Sequence, residues 1–267
     1  MNKDGKSKEK SSMLDFLLEV EDEDGEKFDN ESIIDLLAGI VFAGHESSAF
    51  ATMWVLLYLR QNPQVAQKVK EEQEEIVNNR PPTQKGLSMK EIKQMNYTVK
   101  AVNETLRKAN LGFGVFREAT EDTEINGYAI PKGWKILVMQ RHIHMDSQIH
   151  PNPKAYDPSR FDNPKAAGTF FPFALGVRTC PGSDFARLQI YIFVHYFYLN
   201  YKIEVINPDC KINYFPIPLP KDNCLAKIIK LSSDFLKSIC KIFSPVIPVA
   251  EVYVQNLMCM WSSSPAH

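Results

Sequence analysis

Residues 30–61 carry two uncharged runs, 36–44 and 47–59, and between them stand only His45 and Glu46. Roughly 30 residues of this kind predict a single helix about 45 Å long, enough to cross a whole domain. Asn30 is a good N-cap, and Glu31 and Asp35 suit the positive end of the helix dipole. Such a segment is either a membrane span or a core helix. An acidic residue at a helix centre costs roughly 2.5–3.5 kcal/mol in a bilayer, so Glu46 favours the buried core helix. That reading leaves a question. A carboxylate and two hydroxyls, Ser47 and Ser48, occupy the middle of an apolar helix.

Composition narrows the context. The 267 residues carry a net charge of -1, with 44% hydrophobic and 24% charged residues, an ordinary soluble balance. Near-neutral charge gives no reason to expect nucleic acid or an anionic membrane surface as partner. Five cysteines without a CxxC pair suggest neither a disulfide framework nor a zinc site, and fit a reducing compartment. The opening "MNKDGKSKEKSS" has no apolar h-region and does not read as a signal peptide.

Three regions emerge: 1–27, a flexible acidic lead with a short amphipathic helix over 13–22; 28–230, the folded part; and 231–267, an appended tail. The apolar run of that tail is interrupted by Pro245, Pro248 and Glu251. Within the folded part, Asn62-Pro63 restarts the chain as cap and first helical position. A charged amphipathic surface helix follows. Ser88 and Glu91 have capping-box spacing, and "YTVKAVNETLRKA" is a further helix. Asn126-Gly127 marks a hairpin, and "WKILVM" a strand. A proline-rich loop over 150–172 leads to an apolar helix that begins after Gly182. "KIEVI", "KINYF" and "CLAKII" are closing strands.

"FALGVRTCPG", residues 173–182, is the segment richest in chemistry. Cys180 lies just before the apolar helix, where unpaired N–H groups and the dipole stabilise a thiolate. Gly176 and Gly182 permit tight turns and the close approach of a flat ligand. Arg178 offers a planar cationic fork to a carboxylate, and Phe173 can shield the sulfur from water. An isolated cysteine here would read as a buried turn residue. The full spacing Phe-x-x-Gly-x-Arg-x-Cys-x-Gly points instead to a ligand. A thiol-nucleophile reading finds no partner, since Arg187 lies seven residues on and no histidine is placed by motif.

This decamer resembles the haem-binding loop of the cytochrome P-450 family, the haem-thiolate monooxygenases. The resemblance runs over about 28–230 and implies a mainly α fold with small β-sheets. It corresponds to the C-terminal half of the family's fold, with the long central helix over the haem. Cys180 would be the metal ligand of haem b, donating electron density to the iron, with Phe173, Gly176, Arg178 and Gly182 around the cofactor. Ala174 departs from the pattern, which has glycine or a small polar residue there. "ETLR" alone reads as a surface ion pair worth a few tenths of a kcal/mol. With "DPSRF", the resemblance implies that Glu104, Arg107 and Arg160 form a buried structural triad. Arg117 would reach a haem propionate. His144 matches a recurrent family histidine and reads equally well as a satisfied structural one. His45 has no assigned role.

"AGHESS" then fits the family's distal pattern. Gly44 leaves room for dioxygen, and Glu46 and Ser47 are the acid–alcohol pair that relays protons during its activation. The serine hydroxyl is also expected to bond back to the preceding turn. "AGHESS", "FREA", "IPKGW" and "DNCLAKI" look most like the plant ent-kaurenoic acid oxidases of gibberellin biosynthesis. This implies a diterpenoid acid, dioxygen, and electrons from an NADPH-dependent flavoprotein reductase at the cytosolic face of the endoplasmic reticulum membrane. Members of the family attach through an N-terminal part that is absent here, so this chain is expected to be a soluble fragment with no anchor of its own. The alternative is a non-catalytic haem-binding or inactive truncated remnant. The remaining pocket contributors are the long helix, the loop 111–116 and a turn over 216–219, all suited to an apolar small molecule.

Overall fold

The computed structural model describes residues 12–21, 24–112, 114–215 and 217–231. The reading of an appended tail falls, beyond Leu231, outside the described residues, as does residues 1–11 of the lead. The helix expected over 13–22 is the single turn α1 (Met13–Leu17), capped by Ser12. α2 (Asn30–Gln61) has the expected length. Its cap is Asp29 rather than Asn30: the Asp29 carboxylate accepts the Ser32 N–H at 2.6 Å. That bond holds the Asp29 carboxyl below its ordinary range. Both residues are good caps, and sequence alone does not choose between neighbours.

The molecule divides within α2 into two compact units, Met1–Ser47 and Ser48–His267. In the second unit Ala51, Val55 and Leu59 of α2 enter the main core. They meet Val69 and Ile76 of α3 (Pro63–Asn78), Ala101, Val102 and Leu106 of α5 (Asn96–Ala109), and Ile190 and Val194 of α7 (Ser183–Asn200). In the first unit the expected core helix buries Ile33 but is otherwise largely exposed. Val41 is 72% and Phe42 68% exposed, and Leu36 and Ile40 are exposed as well. Apolar composition predicts that a face wants covering but not that a described element covers it. By length and apolar content alone α2 is long enough to cross a membrane; its C-terminal half packs into the core instead.

Short local signals match the observed elements. α4 (Met89–Ile92) opens on the reciprocal capping box of Ser88 and Glu91. β2 (Thr123–Ile125) and β3 (Tyr128–Ile130) close around Asn126 and Gly127, both at positive φ as a type I′ turn requires. β1 (Val115–Glu118) pairs antiparallel with β4 (Lys135–Val138), and β5 (Tyr201–Val205) with β8 (Ala226–Lys230). β6 (Ile212–Asn213) pairs with the two-residue β7 (Leu219–Pro220). α6 (Gln140–His144) has no side-chain cap and no sequence signal.

Buried polar side chains tie the helices together. Glu72 of α3 caps α5 from a distance, accepting the Tyr97 and Thr98 N–H groups at 2.6 and 2.8 Å. The Thr98 hydroxyl donates to Glu72 and accepts from Gln73, whose oxygen lies 2.8 Å from Nδ1 of the fully buried His195 on α7. Nε2 of His195 faces Arg80, which pairs with Glu91 at 2.6 Å. Each group is satisfied, which is the condition for burial without a large penalty.

A candidate haem-thiolate loop and its buried support

Cys180 lies two residues before the N-cap of α7, Gly182. The loop that presents it is built from backbone bonds. Phe173 C=O accepts the Cys180 N–H at 2.9 Å. Gly176 C=O accepts both the N–H and the hydroxyl of Thr179, at 3.0 and 2.7 Å. Gly176 has φ 70°, a left-handed conformation glycine adopts without strain. Ala174 has φ 62°. The backbone there thus favours glycine, which explains the pattern; the alanine of this chain adopts the same conformation at a cost. The Phe173 ring packs against the core, and the Arg187 guanidinium lies 4.9 Å from its centroid. Arg187 also bonds to Asn103 of α5 at 2.6 Å, tying the loop to that helix.

The thiol itself is free and exposed. Its sequence neighbours are unusual for a surface: Val177 is fully exposed, and Leu175 and Phe185 are at least half exposed. Arg178 is exposed and pairs with no carboxylate among the described residues; the Arg117 guanidinium donates to its neighbour's carbonyl, Phe116 C=O, at 3.0 Å.

Glu104, Arg107 and Arg160 meet in the interior. Arg107 forms a two-pronged pair with Glu104 at 2.7 and 2.8 Å, and both side chains are wholly buried. Arg160 Nε lies 3.4 Å from the same carboxylate, which also accepts the Asp157 N–H at 3.0 Å. The two guanidinium groups then hold the following loop by its carbonyls. Arg107 donates to His144 C=O at 2.6 Å and Pro153 C=O at 2.8 Å, and Arg160 to Pro151 and to Asn152 C=O. The desolvation of three charges is offset by this near-complete set of bonds.

The support continues to the cysteine loop through His144, which the sequence offered as a family or structural histidine, and through Gln140, to which sequence reasoning assigned no role. His144 is fully buried, with Nε2 3.0 Å from the Phe171 N–H and Nδ1 3.1 Å from Asn110 Oδ1. Gln140 donates to Phe171 C=O at 3.1 Å, and the His150 ring bonds to Thr169 C=O at 3.0 Å. The satisfied-histidine alternative for His144 therefore has specific partners here. Their spacings of 27 residues to Phe171 and 34 to Asn110, which carry no periodic signal, kept them out of reach of the sequence.

Burial holds the imidazoles of His144 and His195 down to about 4; His150 and Arg107 add to the effect at His144, and Arg80 at His195. An unfolded histidine binds its proton near pH 6.5. Between those values the unfolded state carries more protons, so stability falls as pH falls. We expect the urea midpoint of the chain to be level above about pH 7. It should drop between about pH 6.5 and 4, as the unfolding free energy falls by up to about 2.7 kcal/mol per pH unit for two sites. A midpoint unchanged across that window would contradict neutral buried imidazoles.

Gly44, Glu46 and Ser47 belong to the first unit. Gly44 has open space where a Cβ would stand. Glu46 is partly exposed, and the Ser47 hydroxyl donates to Ala43 C=O at 2.6 Å, one turn back. Of the expected pocket wall, Phe113 and Pro216 lie outside the described residues. Trp54 Nε1–H of α2 donates to Pro218 C=O at 2.8 Å, so the helix and the closing turn meet.

Comparison with known proteins identifies the family. The family model for cytochrome P450 covers residues 1–223. A 7,8-epoxymelianol synthase of Ailanthus altissima is 54% identical over 226 residues, 84% of this chain and 45% of that protein. Beta-amyrin 11-oxidase of Glycyrrhiza uralensis is 55% identical over 225 residues, 84% and 46% respectively. Ent-kaurenoic acid oxidase 1 of Hordeum vulgare is 50% identical over 223 residues, 83% and 45%. The chain thus spans about half the length of the curated relatives it matches. Among solved structures, retinoic acid-bound cyanobacterial CYP120A1 superposes with a TM-score of 0.70 at 28% identity, over 82% of this chain and 50% of that one. The matched span takes in the glycine-turned cysteine loop and the buried charge cluster, and the chain belongs to the cytochrome P450 family, whose cofactor is a haem with a thiolate-ligated iron.

Proposed function

We propose that this chain carries the haem-binding part of a monooxygenase that inserts one oxygen atom into an apolar terpenoid. The observation that supports it most is the free Cys180 thiol on a pre-formed loop, flanked by exposed apolar side chains. The donor set fits a haem rather than a bare metal ion. Among the described residues no group of three or more His, Cys, Asp or Glu side chains could hold a metal. An iron bound through one thiolate must therefore bring its other ligands with it, as a porphyrin does. Leu175, Val177 and Phe185 suit an apolar macrocycle, and Arg117 and Arg178, which pair with no carboxylate among the described residues, suit its carboxylates.

When bound, the haem supplies the electron-transfer and dioxygen chemistry. The residues supply position and protons. Cys180 would hold the iron and Phe173 would shield the sulfur from water; Gly176 and Gly182 would let the ligand approach the backbone closely. Glu46 would hold the proton at its carboxyl, and Ser47 would pass it on. The Ser47 O–H is donated back to Ala43 C=O. Passing a proton on therefore requires that O–H to turn away from Ala43 and leave Ser47 while a lone pair takes up the proton from Glu46. Electrons would come from an NADPH-dependent flavoprotein reductase. The relatives are named for oxidising beta-amyrin and ent-kaurenoic acid and for making 7,8-epoxymelianol. The finer reading is ent-kaurenoic acid, at the endoplasmic reticulum membrane.

The test is turnover of the haem-loaded chain with reductase, NADPH and dioxygen, offering ent-kaurenoic acid and beta-amyrin in parallel. A product with one added oxygen from either supports the reading. Haem bound with no product from either leaves the non-catalytic alternative. Glu46→Ala is expected to retain haem and lower coupled turnover by about 10²-fold, the size of a lost proton-transfer group. Loss of haem from Glu46→Ala would contradict the role given to Glu46.

A further inference from the structure

His144 stands between the buried charge cluster and the cysteine loop and touches both. Its backbone carbonyl accepts from Arg107 at 2.6 Å. Its ring, one side chain away, faces the Phe171 N–H at 3.0 Å. A backbone N–H can only donate, so Nε2 must be the acceptor. Nδ1 then carries the proton and donates to Asn110 Oδ1 at 3.1 Å. Asn110 itself is fixed as the left-handed C-cap of α5, with φ 51°. Four residues before His144, on the same face of α6, Gln140 donates to the carbonyl of the same Phe171. Phe171 is thus gripped by both its N–H and its C=O. From there the loop closes in two steps: Phe171 C=O also accepts Ala174 N–H at 3.1 Å, and Phe173 C=O accepts Cys180 N–H at 2.9 Å. Ala174, where the first step ends, stands at positive φ, a conformation that persists only where the surroundings over-determine it.

We propose that His144, with Gln140, is a positioning clamp that fixes the cysteine loop to the buried charge cluster and so sets where the Cys180 sulfur is presented. The consequence for the sulfur rests on the reading of Cys180 as the haem ligand. The clamp itself does not, and can be tested on the chain without haem.

The two ring nitrogens can be separated by substitution. Gln places its side-chain oxygen near the Nε2 position and keeps an acceptor for Phe171. Asn places it near Nδ1 and does not. In hydrogen exchange resolved over 169–182, His144→Asn should raise exchange at Phe171, Ala174 and Cys180 by about tenfold, the effect of one buried hydrogen bond lost. The β5–β8 pair and α3 should keep native protection. His144→Gln should stay within about threefold of the native chain. Equal behaviour of the two variants, or no selective rise in His144→Asn, would overturn the proposal. If His144→Asn unfolds as a whole, Gln140→Leu decides the matter. It removes the carbonyl side of the clamp alone: a local rise over 169–182 supports the clamp, and native exchange there overturns it. If the clamp holds and haem still fails to bind through sulfur, only the function proposed above falls.

Discussion

Replacing Arg107 by leucine is expected to cost about 3–5 kcal/mol, the largest single effect on stability in this chain. The reason is what remains. Glu104, wholly buried, would lose its two-pronged partner and retain only Arg160 at 3.4 Å and one backbone N–H. The carbonyls of His144 and Pro153 would lose their donor in the same step. A domain of ordinary stability has about 5–15 kcal/mol in total, so this change removes a large part of it. Replacing Glu104 and Arg107 together should cost clearly less than the sum of the two single changes, because no unpaired charge stays inside. Urea denaturation of the two single variants and the double variant measures this. A cost for Arg107→Leu within about 1 kcal/mol would show that the cluster is not structural.

Cys180→Ser has the opposite profile. The thiol is exposed and makes no side-chain bond that the fold depends on, so global stability should move by less than about 0.5 kcal/mol. Thiolate ligation, however, should be lost entirely, since an alcohol does not ionise to a comparable ligand near neutral pH. The haem-loaded variant, reduced and exposed to carbon monoxide, should show no Soret band at the thiolate position. Denaturation and spectroscopy on the same protein separate the roles: Arg107 carries fold, Cys180 carries chemistry. A Cys180→Ser chain with the native spectrum would move the ligand to another residue.

What was legible in the sequence was mostly local. Ser88 and Glu91, Asn126-Gly127, and the Phe173–Gly182 loop each act within ten residues, and their spacing states their geometry. The Glu104–Arg107 pair is local too, one helical turn apart. Its third member, Arg160, came only from resemblance, because nothing in spacing links residues 56 apart. The unread part is tertiary. Glu72 caps a helix 25 residues away, Gln73 reaches His195 across 122 residues, and His144 grips Phe171. Each is a buried polar group whose partner is selected by packing. The N-terminal half of α2 was misjudged for a related reason: periodicity and composition describe a face, while burial depends on what lies against it.

The central claim is that Cys180 holds a haem iron through its sulfur. Its most direct test is the carbon monoxide difference spectrum of the full chain, expressed with haem precursor and reduced with dithionite. A Soret band at the thiolate-ligated position is the predicted result. Haem bound with a band away from that position, or no haem uptake at all, would contradict it.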